Sequence, residues 1–287
     1  MSPRARVRLA AFRPDAMQPD AIRPVATCTA LALLALASSC SSGATTSERD
    51  PAVQDAVDRA TAWLVRRDDS PHVYLFLGVI GRRFELGALD GMLERFDATL
   101  GRGPRTPDLL AARRILSAEH DFSTEGLALL TSEINRIHAP ALYCDRLGLP
   151  LNYRQILKDA SEAGGYPLTH VGLALIWMDA LGCEPPVAQP ARFRRNVIER
   201  MALLLDPADG LTDVEIEAAA FLHTLGRGDL VPEGFLAAVL AAQHEDGSWS
   251  HDTREEPQAS DWHASCLALW YVLEATTAAD AKRSVLP

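Results

Sequence analysis

Apolar residues recur every three or four positions through most of this chain, and that period dictates helix as its backbone. In ARFRRNVIERMALLL, Phe193, Val197, Met201 and Leu204 share one side of a helix, while Arg194, Arg195, Glu199 and Arg200 fill the other. The same reading predicts helices near 52–67, 72–84, 88–100, 107–118, 123–137, 152–163, 169–182, 191–205, 212–226, 233–243 and 261–277. No stretch alternates as a half-buried strand would. Tight connections such as Gly101-Arg102-Gly103-Pro104 and Gly164-Gly165-Tyr166-Pro167 separate helices of similar length. The expected class is all-α, built of stacked helical hairpins.

The first forty residues differ from the rest. Arg4, Arg6, Arg8, Arg13 and Arg23 precede an apolar run at 25–37, VATCTALALLALA. Its 13 residues are too few to span a bilayer, which takes about 20, and they fit the core of an export signal. Ala37-Ser38-Ser39 then lead into Cys40 and a polar stretch, SSGATTSERD. This order resembles the lipobox of bacterial lipoproteins, with Ala37 standing where Leu is usual. The resemblance implies acylation of Cys40, hence an exported, membrane-anchored protein facing the periplasm or outer membrane. The expected organisation is a signal at 1–39, a flexible tether at 40–50, a globular domain at 51–278 and a C-terminal tail at 279–287.

Removing residues 1–39 leaves 23 basic and 36 acidic residues, a net charge of −13. Such a surface repels phosphate backbones, so nucleic acid is not an expected partner. Of the remaining cysteines, Cys144, Cys183 and Cys266 allow one disulfide and leave one thiol. Cys266, in an apolar helical run, is the expected buried thiol.

Two segments near the C-terminus carry a family likeness. Residues 243–249 read QHEDGSW and 261–270 read DWHASCLALW. The first resembles the Q-x3-G-x-W core of the QW repeat of terpenoid cyclases. The second resembles the segment of protein prenyltransferase β subunits that bears a zinc-ligating His, here His263. Both families share the α/α toroid, an inner ring of helices inside an outer ring, and the likeness covers about 40 residues, 234–275. It implies an α/α toroid of eleven to twelve helices in which Gln243 and Trp249 clasp neighbouring hairpins. It does not carry over the catalysis. The Asp-x-Cys pair that completes the zinc site and the D-x-D-D cluster of the cyclases are both missing. A single His does not hold zinc, which needs three or four protein ligands, so no cofactor is predicted.

The remaining candidates cluster around that region. PLTHVGLALIW (167–177) and DWHASCLALW each set a His before an apolar helical run, with Thr169 and Asp261 as expected N-caps. His170 and His263 are therefore candidates to face one interior, and with Asp252 they are candidate catalytic residues. Asp246, His251 and Asp252 make the loop at 244–261 acidic and polar, the chemistry of an acid–base pair or of a solvated turn. Trp177, Trp249, Trp262 and Trp270 are candidates to line an aromatic cavity, and Trp249, Trp262, Asp246 and His251 are the expected binding residues. The reading is a lipid-anchored envelope protein whose toroid binds a small molecule or envelope partner without catalysis. The alternative is an enzyme on that scaffold, acting on a glycan or an isoprenoid lipid.

Overall fold

A computed structural model describes residues 49–67, 70–206, 210–254 and 260–287. The signal, Cys40 and nearly all of the tether lie outside them. The described chain is mostly helical: α1 (Pro51–Val65), α2 (Pro71–Phe84), α3 (Met92–Arg102), α4 (Pro107–Ala112), α5 (Thr124–Ala128), α6 (Glu133–Leu142), α7 (Cys144–Leu147), α8 (Tyr153–Ala163), α9 (Gly165–Leu181), α10 (Pro190–Ala202), α11 (Asp213–Thr224), α12 (Phe235–Ala241) and α13 (Trp262–Thr276). A two-residue antiparallel pair, β1 (Trp249–Ser250) with β2 (Ser260–Asp261), is the only sheet among the described residues. None of these helices is long and apolar enough to cross a membrane.

Several boundaries differ from expectation, some for plain local reasons. The helix expected over 123–137 is two, α5 and α6. Ser123 accepts from the Gly126 N–H (3.0 Å), and Ser132 starts a second helix by accepting from the Asn135 N–H (3.3 Å). The helix expected over 107–118 stops at Ala112 and continues as a 3₁₀ turn, Arg113–Ile115. Thr169, expected as a cap, lies inside α9, which begins four residues earlier at Gly165. Asp261 is a cap as expected, accepting from the Ala264 N–H at 2.8 Å.

Burial sorts the helices into two kinds. α3, α8 and α10 bury one stripe and keep a charged face in water. In α9 every residue from Leu168 to Met178 is buried, and in α13 every residue from Ala264 to Glu274. Such all-round apolar helices need neighbours on each side. α9 packs on α6, α8, α10 and α11, and α13 packs on α1, α2, α11 and α12. A Cys144–Cys183 disulfide ties α7 to the end of α9, and Cys266 is a buried thiol. Residues 279–287, expected as a tail, pack back on the body. Val285 and Leu286 are buried, and the Arg82 guanidinium donates to the Val285 carbonyl at 2.9 Å.

The Gln–Trp segment is a clasp between chain ends. The Gln243 amide donates to the carbonyls of Ala56 in α1 (2.9 Å) and Gly247 (3.0 Å). The Trp249 indole donates to Val239 O of α12 at 2.7 Å, and its backbone N–H donates to Ser265 Oγ of α13 at 2.9 Å. Gly247 has φ +95°, and a Cβ there would stand 2.5 Å from the Arg59 carbonyl oxygen, so only glycine lets the turn lie on α1.

Candidate functional site

A cavity of about 330 Å³ is lined by residues of α2, α4, α6, α9, α11 and α13. Its wall is made by residues that these helices bring in near their N-terminal ends: His72, Asp108, Asn135, His170, Glu217 and His263. One or two turns further in, Val79, Ile115, Leu173, Trp177 and Trp270 replace them. The cavity therefore has a polar mouth and an apolar floor, the usual division of labour in small-molecule sites.

His263 in this wall is oriented by Asp213, the first residue of α11. Thr212 caps this helix in a capping box, its hydroxyl meeting the Glu215 N–H while the Glu215 carboxylate returns to the Thr212 N–H. The Asp213 side chain, 1 % exposed, is not itself part of the lining and reaches it through His263. Its Oδ2 accepts from the Tyr166 hydroxyl and from His263 Nδ1 at 3.2 Å and lies 2.8 Å from His251 Nδ1, while its Oδ1 is buried without a partner among the described residues. Loop 251–253 is held here by backbone bonds, Asp213 N–H to His251 O (2.9 Å) and Thr253 N–H to Leu211 O (2.9 Å). A carboxylate accepts only, so Nδ1 of His263 carries the proton and Nε2 is left as the basic nitrogen. Burial alone would pull the His263 pKa down, but the bond to Asp213 and the charges of Glu217 and Asp261 outweigh it and hold it above the usual value. Burial likewise pushes Asp213 up, and the bonds from His263 and Tyr166 overcome it, leaving it below the usual carboxylate range.

A second polar row lies beside the first. His170 donates through Nδ1 to the Tyr166 carbonyl at 3.0 Å and stacks on His138, with ring centroids 5.4 Å apart. Glu217, buried, meets the Thr169 hydroxyl and sits 3.8 Å from His170 Nδ1. Burial, with the nearby charges of His170 and His72, pushes His138 down to about 3, so it is neutral at physiological pH. Trp262 closes one side of the mouth against His72 (6.2 Å) and Phe76 (6.3 Å), and Phe76 meets the His263 ring edge-on at 5.5 Å.

The structure thus brings His170, His263 and Trp262 to one cavity, while His251 lines no part of it and lies beside Asp213. It places three other expected residues elsewhere. Asp252 turns its carboxylate to its own neighbour, accepting from the Arg254 N–H (2.8 Å) and from Nε of the same residue (2.9 Å). Asp213 holds the place foreseen for it. Asp246 accepts from the Trp63 indole (3.0 Å) and the Ser248 hydroxyl (2.6 Å), and so fixes the clasp turn. Trp249 is buried between α12 and α13 and is not among the residues lining this cavity. Tyr166, Asp213, Glu217 and His138 were not foreseen as site residues. The available signal was the T-D-V-E capping box, which marks the start of α11 and so the end of the bundle where Asp213 belongs.

Among the described residues no group of three or more His, Cys, Asp or Glu is placed to hold a metal ion. The zinc site that the prenyltransferase likeness brings to mind does not fit these residues. A thiolate ligand is lacking, since Cys266 lies in the core and Cys144 and Cys183 are bonded to each other.

The contact between Asp213 and His263 has a pH signature. His263 has a raised folded pKa, so its contribution is full below about 6.5 and fades as pH rises through the folded value. Asp213 has a depressed one, so its contribution is full above about 4 and fades as pH falls. The destabilisation by His263→Gln, read from urea melts, is expected to be about 1.5–3 kcal/mol near pH 5–6 and to shrink toward pH 9. A loss that grows with pH would contradict the pairing.

Comparison with known proteins returned no match to a protein-family model, to a curated protein or to a solved structure.

Proposed function

We propose that the chain is a lipid-anchored lipoprotein of the cell envelope whose body is an α/α toroid binding a small molecule in its central cavity. The observation that carries this reading is the cavity itself, because each of six helices contributes side chains to its wall. The contacts support a ring. α2, α4, α6, α9, α11 and α13 touch in chain order, and α13 returns to touch α2. Helices α3, α5, α7, α8, α10 and α12 fall between them in sequence and pack on them, with α1 on α13, as an outer ring would. Six hairpins arranged so would match the scaffold that the Gln–Trp segment resembles. Export is supported by the Cys144–Cys183 disulfide, a bond that persists in oxidising compartments, and by the signal and lipobox pattern ending at Cys40. The membrane is then a partner through the acyl chains alone, and the acidic body makes nucleic acid an unsuitable one.

Two experiments test the two halves. Labelling with a fatty-acid probe should mark the wild type and not Cys40→Ala, and labelling of both would refute the anchor. Solvent extraction of protein purified from membranes should release a small molecule from the wild type and not from Leu173→Trp, which fills the cavity. An empty wild type, or the same yield from both, would refute the binding reading.

One observation favours a second reading, an acid–base enzyme on the same scaffold. Asp213 orients His263 as the acidic member of an Asp–His pair does, leaving Nε2 as a proton acceptor at a cavity mouth, with Tyr166 beside it. Extracts separate the readings. Under catalysis His263→Gln accumulates a compound that the wild type converts, whereas under simple binding both carry the same one.

A further inference from the structure

The cavity wall carries two carboxylates, Asp108 and Glu217, and among the described residues no Lys or Arg lines it. Glu217 has His170 at 3.8 Å, and His263 has Asp213 as its own counter-charge. Asp108 has no such match. Its partners are all uncharged: the Asn135 amide (2.8 Å), the Thr131 hydroxyl (3.0 Å) and the Ser132 N–H (3.4 Å). Burial pushes its pKa up, but these hydrogen bonds outweigh it and hold the carboxyl below its usual range, so Asp108 keeps its charge. Two wall histidines feel that charge. Burial lowers the pKa of His72 and takes that of His138 down to about 3, and in both the charge opposing it is Asp108. Neither therefore supplies a cation near neutral pH. The same mouth is aromatic. Trp262 and Phe76 stand 6.3 Å apart, and Phe76 meets Trp270 at 6.3 Å.

Resting on the reading of this cavity as a ligand site, we propose that it takes a small organic ammonium compound, the charged head in the mouth with Asp108, Trp262 and Phe76 and the apolar body on the floor. The wall decides the sign. An anion would meet two carboxylates and no Lys or Arg. A neutral ligand would displace water from Asp108 and leave its charge without a counter-ion, which is costly in a space walled by apolar side chains. An ammonium supplies the missing charge, and the faces of Trp and Phe rings attract it as well. A bare metal ion does not fit, because no group of three His, Cys, Asp or Glu is placed to hold one among the described residues. The floor of Val79, Ile115 and Leu173 calls for an apolar body behind the head. Its size follows from the volume, since 330 Å³ is the share of roughly ten water-sized atoms at about 30 Å³ each.

The test uses the exported full chain carrying Cys40→Ala and three probes that share one body and differ in head charge: cyclohexylmethylamine, cyclohexylmethanol and cyclohexanecarboxylate. Titration calorimetry at neutral pH should show the amine bound roughly tenfold more tightly than the alcohol, and the carboxylate bound weakest. That order is read with Asp108 in place, so it does not depend on how well any variant of the site folds. Asp108→Asn, which keeps an acceptor for Asn135, should weaken the amine roughly five- to thirtyfold and the alcohol less than about twofold. An alcohol bound as tightly as the amine, or an amine indifferent to Asp108→Asn, overturns the inference while leaving the cavity a binding site. Failure of all three probes to bind with Asp108 in place overturns the inference and the binding reading together.

Discussion

Trp249→Ala is expected to lower the melting temperature by roughly 6–20 °C, the counterpart of about 3–5 kcal/mol for truncating a buried indole. The side chain is 1 % exposed and fills the space between α12 and α13, so the surrounding helices cannot collapse into the vacancy without losing their own contacts. Trp249→Phe should cost far less, about 1–3 kcal/mol, since it keeps most of the buried area and forfeits the bond to the Val239 carbonyl. Gly247→Ala should fall between them. Its methyl would press on the Arg59 backbone, which cannot swing away as a side-chain tip can, and φ +95° is hostile to any β-carbon. Differential scanning calorimetry on the three variants measures the order. Were Trp249→Ala to melt within 2–3 °C of wild type, the clasp would not be what holds α1, α12 and α13 together.

The second large effect is expected at the other end of α13. Glu274, 1 % exposed, accepts from Arg83, from the Thr224 hydroxyl (2.9 Å) and from the Trp270 indole (3.3 Å), and pairs with Lys282 at 2.9 Å. Burial pushes its pKa up, but the two cations outweigh it and hold the carboxyl below its usual range. Glu274→Ala strands two largely buried cations and should cost about 3–5 kcal/mol in urea denaturation. Removing Arg83 as well, by Glu274→Met with Arg83→Met, should cost less than the two single losses added, because the second change takes away a charge that the first left unpaired. Additive losses would mean that the ion pair contributes nothing beyond packing.

The two predictions concern parts of the chain that were differently legible. Helices such as α10 announced themselves because their apolar residues keep a 3.6-residue period and their charges fill the other side. The Gln243–Trp249 clasp was legible as a motif, since its turn chemistry is local. α6 was not, because a single serine at 132 decides that one long apolar pattern becomes two helices. The site was legible only where a histidine sits at the start of an apolar run, as His170 and His263 do. Asp213 was missed because its partners, Tyr166 and His263, are 47 and 50 residues away, and contact across that distance has no signature in spacing. Asp252 looked the better carboxylate from sequence, being in the same polar loop as His251, yet Arg254 two residues on claims it.

Six helices lend side chains to one cavity, with α13 beside α2. A crystal structure of the protein tests this most directly. The expected result is density with α13 packed on both α11 and α2, His263 Nδ1 within hydrogen-bonding reach of Asp213, and Trp177 at the floor of an enclosed space. A map in which α2 and α13 stand apart, with His263 and Asp213 on separate surfaces, would contradict it.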